Sequence, residues 1–304
     1  MPEPLTQRPD VLVLGVGGTL GEAWMRGLLD GAGATAGIDF RDCEYFVGTS
    51  AGSIVAAFLA AGRAPDSGAE ARAASDWAEA AEEDGRRGRF TTALGRVGLA
   101  AATPLAPVAL ASATPAGAVA RAAALRATPR TSRSMPGLGR MIDGEGARFD
   151  GRLRIVAVDR HSGRRVVFGA PGAPRASVGQ AVLASCSVPW IFAPVQIDGR
   201  EYVDGGVWSP TNLDATPVGR GTQVLCLNPT ASLAASRTAF GALRAFSQSA
   251  ALAETLTLRA RGADVQTIAP DARAAEVMGA NLMDRRRVNE VLAAGYAQGR
   301  SLAG

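Results

Sequence analysis

The sequence predicts an α/β fold: a mainly parallel β-sheet covered by helices on both faces. Two observations carry this. Short apolar runs rich in β-branched residues alternate with stretches of helical spacing. Several of those runs lead into glycines, where a strand must turn sharply into the next helix. With 304 residues, 47% of them hydrophobic, the chain can bury a large core as one domain, expected over residues 8–304.

Taken in order, Val11 to Leu14 reads as a buried parallel strand, followed by a turn containing Gly15, Gly17, Gly18 and Gly21. A helix is expected from Glu22 to about Asp30. Cys43 to Val47 reads as a second strand that passes through Gly48, Thr49 and Ser50 into a helix at Ala51 to Ala61. Leu153 to Val158 and Arg165 to Phe168 predict a β-hairpin around the polar turn Asp159 to Gly163. Glu201 to Val203 is extended. Val224 to Leu227 and Val265 to Ile268 add apolar strands, with a helix opening near Asp271. Arg285 to Arg300 has helical spacing through Val288, Val291, Leu292 and Tyr296, with Arg285 to Arg287 as a solvated face.

Charge is distributed unevenly. All 32 basic residues are arginine, and residues 85–142 hold nine of them with no acidic residue. The rest of the chain is net acidic, 23 arginines against 28 acids, so the total of +4 arises from one segment. Within it, residues 97–120 are uncharged and long enough to span a membrane, yet they are mostly alanine and contain Pro104, Pro107 and Pro115. That composition argues against a span. Two readings of the segment stand: a lid that meets anionic membrane surfaces, or a poorly ordered insertion kept soluble by its charge. The N-terminus shows no basic region followed by an apolar stretch, and Cys43, Cys186 and Cys226 lack CxxC spacing. Reduced thiols in a cytoplasmic protein are expected, with no metal site, no cofactor and no nucleic-acid partner.

The chemistry concentrates in two motifs. GTSAG, Gly48 to Gly52, has the GxSxG form of a serine nucleophile on a strand-to-helix turn. With 37 glycines in the chain, chance alone gives roughly a quarter of such a match in 300 residues, so the motif needs context, and Ser50 could equally be a helix cap. The strand before and helix after favour the nucleophile, because the helix N-terminus presents free N–H groups and a positive dipole end near Ser50. The second motif, DGG at Asp204 to Gly206, is by itself a common turn. The single histidine, His161, lies in the hairpin turn and precedes Asp204, so a triad in the order Ser, Asp, His is ruled out. Asp204 acting directly on Ser50 is the simpler arrangement. The turn from Gly15 to Gly21 fits an oxyanion hole or a plain tight turn. A dinucleotide fingerprint would need glycine where Leu20 or Val16 stands.

LVLGVGGTLGEAW, GTSAGS and ASCSVPWIFAPVQIDGREYVDGGVWSPTN occur in this order. Together they resemble the patatin-like phospholipases, serine acyl hydrolases with a Ser-Asp dyad. The resemblance covers residues 11–62 and 153–230, and GANLMD (Gly279 to Asp284) more loosely; it omits the basic insertion. It implies a three-layer α/β/α sandwich, Ser50 as nucleophile, Asp204 as base, and an oxyanion hole from Gly17, Gly18 and the N–H of Ala51. The family's turn runs GGGxRG, whereas this chain has Val16 for the first glycine and Leu20 for the arginine. The resemblance implies hydrolysis of carboxylic esters of phospholipids, lysophospholipids or related lipids through an acyl-enzyme, without metal or organic cofactor. An acyltransferase on the same dyad and a non-catalytic lipid-binding protein of this fold are the alternatives.

Overall fold

The computed structural model describes residues 4–65, 115–128, 131–232 and 239–304. Most of the basic segment, including its lid reading, lies outside the described residues. Eight strands form one mixed sheet: β1 (Val11–Leu14), β2 (Tyr45–Thr49), β3 (Leu153–Asp159), β4 (Arg165–Phe168), β5 (Val195–Ile197), β6 (Arg200–Asp204), β7 (Gln223–Leu227) and β8 (Asp264–Ile268). Strands β3, β2, β1, β7 and β8 are mutually parallel; β4 and β6 each pair antiparallel with β3, and β5 pairs antiparallel with β6.

Alternation along the strands sorts the core into two layers. Leu12, Leu14, Phe46, Ile155 and Leu225 point to one face, into the main core. That core also holds residues of α1 (Gly18–Ala36), α2 (Ala51–Ala60), α4 (Pro136–Gly144), α5 (Val178–Ser185), α7 (Ala272–Met278) and α8 (Val288–Ala303). Val11, Val13, Val47, Val156, Val224 and Val265 face the other way, where Leu258 of α6 (Ala239–Ala260) covers them. Leu125 of α3 (Pro115–Ala127) packs on Val158 and Val203. The architecture is the expected α/β/α sandwich.

Several expectations shift at their edges. α1 starts at Gly18 rather than Glu22, because the glycine turn is itself the first turn of the helix. β2 starts at Tyr45, since Cys43 closes a 3-10 turn with its N–H on the Phe40 carbonyl. Arg285–Arg287 is a 3-10 turn leading into α8. α4 belongs to the core through buried Leu138 and Ile142, although it lies at the end of the basic segment. Among the described residues no helix is long and apolar enough to cross a membrane.

Candidate active site

The register around β3 brings the two motifs together. Val156 pairs with Thr49 of β2 and with Val167 of β4; Ala157 pairs with Asp204 of β6 and with Val166 of β4. Strand β4 therefore occupies one edge of β3, while β2 and β6 share the other. β2 runs parallel and stops at Thr49. β6 runs antiparallel and stops at Asp204, one residue further along. The two strands meet end to end, and Gly205, leaving β6, packs against Thr49 at the end of β2. Ser50 and Asp204, 154 positions apart in sequence, are brought near because two strands share one template.

Ser50 sits at φ 53°, ψ −123°, a region that non-glycine residues rarely occupy. This sharp turn between β2 and α2 lifts the hydroxyl off the strand end. The strain is held by buried contacts. The Ser50 N–H donates to Ser185 Oγ at 2.8 Å, and Ser185 Oγ donates onward to the Val156 carbonyl at 2.6 Å. The Ser50 carbonyl accepts from the N–H and hydroxyl of Ser53, at 2.8 and 2.6 Å. Ser50 thus occupies the N-cap position of α2, but its side chain makes no capping bond. Close packing beneath it depends on glycine: a Cβ on Gly52 would overlap the Leu14 carbonyl, and one on Gly48 would press on the backbone of Ser53.

The Ser50 hydroxyl faces Asp204 and favours its ionised form. Asp204 is buried, and its Oδ1 accepts the Gly206 N–H at 2.7 Å. Burial pushes its carboxyl up to about 7, and the bonds from Gly206 and Ser50 offset only part of that. Cys186, also buried, carries a thiol that faces Ser50, Ser53 and Asp204, and burial together with the Asp204 charge raises it well above the ordinary thiol range. Gly205 is packed against Val156 and Thr49, and Gly206 against Val16.

The glycine turn leaves β1 beside this point, since Leu14 is in register with Gly48. The Gly15 and Val16 N–H groups are taken by the Leu227 and Pro210 carbonyls. For the N–H groups of Gly17, Gly18 and Ala51, no acceptor is found among the described residues. Gly18 has φ +58°, with Leu282 and Met283 against it, and Gly21 packs on Pro229. Leu20, at the position of the family's arginine, is buried in the core, where a charge would be costly. His161 is exposed in its turn.

Reading the sequence did not reveal the supports of this site. Ser185 ends α5 and Cys186 and Ser187 follow it; the Ser187 carbonyl accepts the Asp204 N–H at 3.0 Å. The signal was present in the capping box Ser177–Gln180 that starts α5. Asn212, eight positions after Asp204, touches both strand ends and carries no sequence signal of its own. No group of three His, Cys, Asp or Glu side chains suited to a metal occurs among the described residues.

The fold is an α/β sandwich whose mainly parallel sheet presents a strained serine at a strand's carboxyl end, against a helix N-terminus and a glycine turn. A family model for patatin-like phospholipases matches residues 12–217, more than half of the chain and inclusive of both motifs. The chain belongs to the patatin-like phospholipase family, a family of lipid acyl hydrolases.

Proposed function

We propose that the protein hydrolyses carboxylic esters of phospholipids, lysophospholipids or related lipids, with Ser50 as nucleophile and Asp204 as general base. The observation that carries this reading is a serine on a strained strand-to-helix turn whose hydroxyl faces a buried carboxyl raised to about 7. A base with that value is basic enough to take a proton yet ionised near neutral pH.

Asp204 removes the hydroxyl proton as Ser50 Oγ attacks the ester carbonyl carbon. Negative charge collects on the carbonyl oxygen. The N–H groups of Gly17, Gly18 and Ala51, and the positive end of α2, are available to receive it. The C–O bond breaks, the departing alcohol takes the proton from Asp204, and an acyl-Ser50 remains. Water, deprotonated by Asp204, then attacks the acyl carbon; the bond to Ser50 Oγ breaks, Asp204 returns the proton to Ser50, and the fatty acid leaves. No histidine takes part in this scheme.

Labelling with a fluorophosphonate probe, with mass-spectrometric location of the adduct, tests the assignment. Wild type should label at Ser50, and Ser50→Ala should neither label nor turn over p-nitrophenyl esters, phospholipids or lysophospholipids. A folded Asp204→Asn variant with near-normal turnover would refute the dyad.

A further inference from the structure

Sheet pairing attaches β2 and β6 separately to β3, and no ladder bond can join two strands that meet end to end. The geometry of Ser50 relative to Asp204 therefore depends on what bridges the break. One bridge is the end of α5, through Ser185 and Ser187. The other is Asn212. Its Nδ2 donates to Thr49 Oγ1 at 3.2 Å and to the Gly205 carbonyl at 3.2 Å, and it also reaches the Ser209 carbonyl at 2.6 Å. Thr49 is the residue before Ser50, and Gly205 the residue after Asp204.

Asn212 is built for this place. It is fully buried, and its backbone is left-handed at φ 50°, ψ 34°, which asparagine tolerates better than most residues. Two carbonyls and a hydroxyl face one end of the amide, while Arg165 Nη1 faces Oδ1 at 3.4 Å, so its orientation is set by its neighbours. The loop that carries it is braced from α6. Glu254 accepts from Thr211 Oγ1 at 2.6 Å and from the Leu213 N–H at 2.8 Å. Ser209 Oγ accepts the Asn212 N–H at 3.2 Å.

We propose that Asn212 is a positioning residue: it ties Thr49 to Gly205 across the break between β2 and β6 and so sets the separation of Ser50 and Asp204. This rests on the dyad reading given above. Asn212 acts through both reacting groups and touches neither. Its loss leaves substrate binding alone and falls on the proton transfer, where a displacement of about 1 Å is enough to cost up to a hundredfold.

The test uses Asn212→Gly, which deletes the donors while keeping the left-handed backbone unstrained. Assayed on a soluble short-chain p-nitrophenyl ester, kcat should fall about 30-fold or more with KM within about twofold of wild type. The acidic limb of kcat, near pH 7 in the wild type, should move to lower pH as water reaches Asp204. The groups that face Asp204 otherwise, the Ser50 hydroxyl, the Gly206 N–H and the Cys186 thiol, are unchanged in this variant. A folded Asn212→Gly with wild-type kcat and pH limb overturns the proposal. If that variant does not fold, Thr49→Val decides, since it removes only the acceptor on the nucleophile's side; about a tenfold lower kcat at constant KM supports the tie, and wild-type kcat refutes it. Ser50→Ala run alongside separates the two readings. Retained turnover there removes the dyad and the tie together. An inactive Ser50→Ala beside a wild-type-like Asn212→Gly removes the tie alone.

Discussion

Replacing Asp204 by asparagine should make the protein more stable above neutral pH while abolishing its activity, and the gain should vanish in acid. The carboxyl titrates at about 7 when folded, against 3.8 for an ordinary aspartate, and burial is the main cause. Between those two values the folded chain keeps a proton that the unfolded chain has released. The stability contributed by this protonation is complete below pH 3.8 and is lost as the pH rises through 7. A gap of about three pH units, at 1.36 kcal/mol each, amounts to about 4 kcal/mol. Asparagine has nearly the same shape and never ionises, so the Asp204→Asn variant lacks this loss. Urea unfolding of both proteins across pH 4 to 8 measures it. The difference in unfolding free energy should grow in favour of the variant by about 4 kcal/mol over that range. Glu254, also raised to about 7 by burial, loses stability over the same window in both proteins and cancels in the difference. Parallel curves for the two proteins would show that Asp204 titrates normally, and would remove the basis for its role as a base poised near neutrality.

Other changes probe the frame of the site. Ser185→Ala strips the acceptor from the buried Ser50 N–H, which should cost about 1–3 kcal/mol in thermal or urea unfolding and lower ester turnover at unchanged KM. Wild-type stability and turnover would mean that the strained turn at Ser50 needs no such support. Gly52→Ala drives a methyl into the Leu14 carbonyl, so a loss of about 3 kcal/mol is expected, seen as a thermal midpoint about 6–12 °C lower. His161→Ala alters an exposed turn residue and should leave stability within about 0.5 kcal/mol and the pH–rate profile unmoved. A hundredfold loss there would restore a histidine mechanism.

Local chemistry made much of this protein readable from its sequence. Val11 to Leu14 is a strand because four consecutive apolar residues can be buried on both sides only in the middle of a covered sheet. Arg165 to Phe168 follows its partner through a polar turn, and the hairpin forms as expected. Gly48 to Gly52 announced a strand-to-helix turn, because only residues without side chains let α2 approach β1 and β2 so closely. Elements without local punctuation were harder to see. The helix Val178–Ser185 is eight residues long, and its capping box is a short signal in a polar stretch. The strand Val195–Ile197 has three residues, too few to show a period, and exists because β6 offers it an edge.

The sequence by itself determined which groups could do chemistry: a serine on a glycine-bounded turn, an aspartate before two glycines, and no histidine placed to serve between them. These are properties of residue types and of neighbours within a few positions. Only the tertiary structure decided that Ser50 and Asp204 meet. That contact depends on the register of two strands against the same edge of β3, and register is a relation among segments far apart in sequence, as Thr49 is from Val156 and Ala157 from Asp204. Burial decided the rest. The proton affinity of Asp204 comes from the water it has lost, and the role proposed for Asn212 from its standing, fully enclosed, at the one break that sheet hydrogen bonds cannot cross.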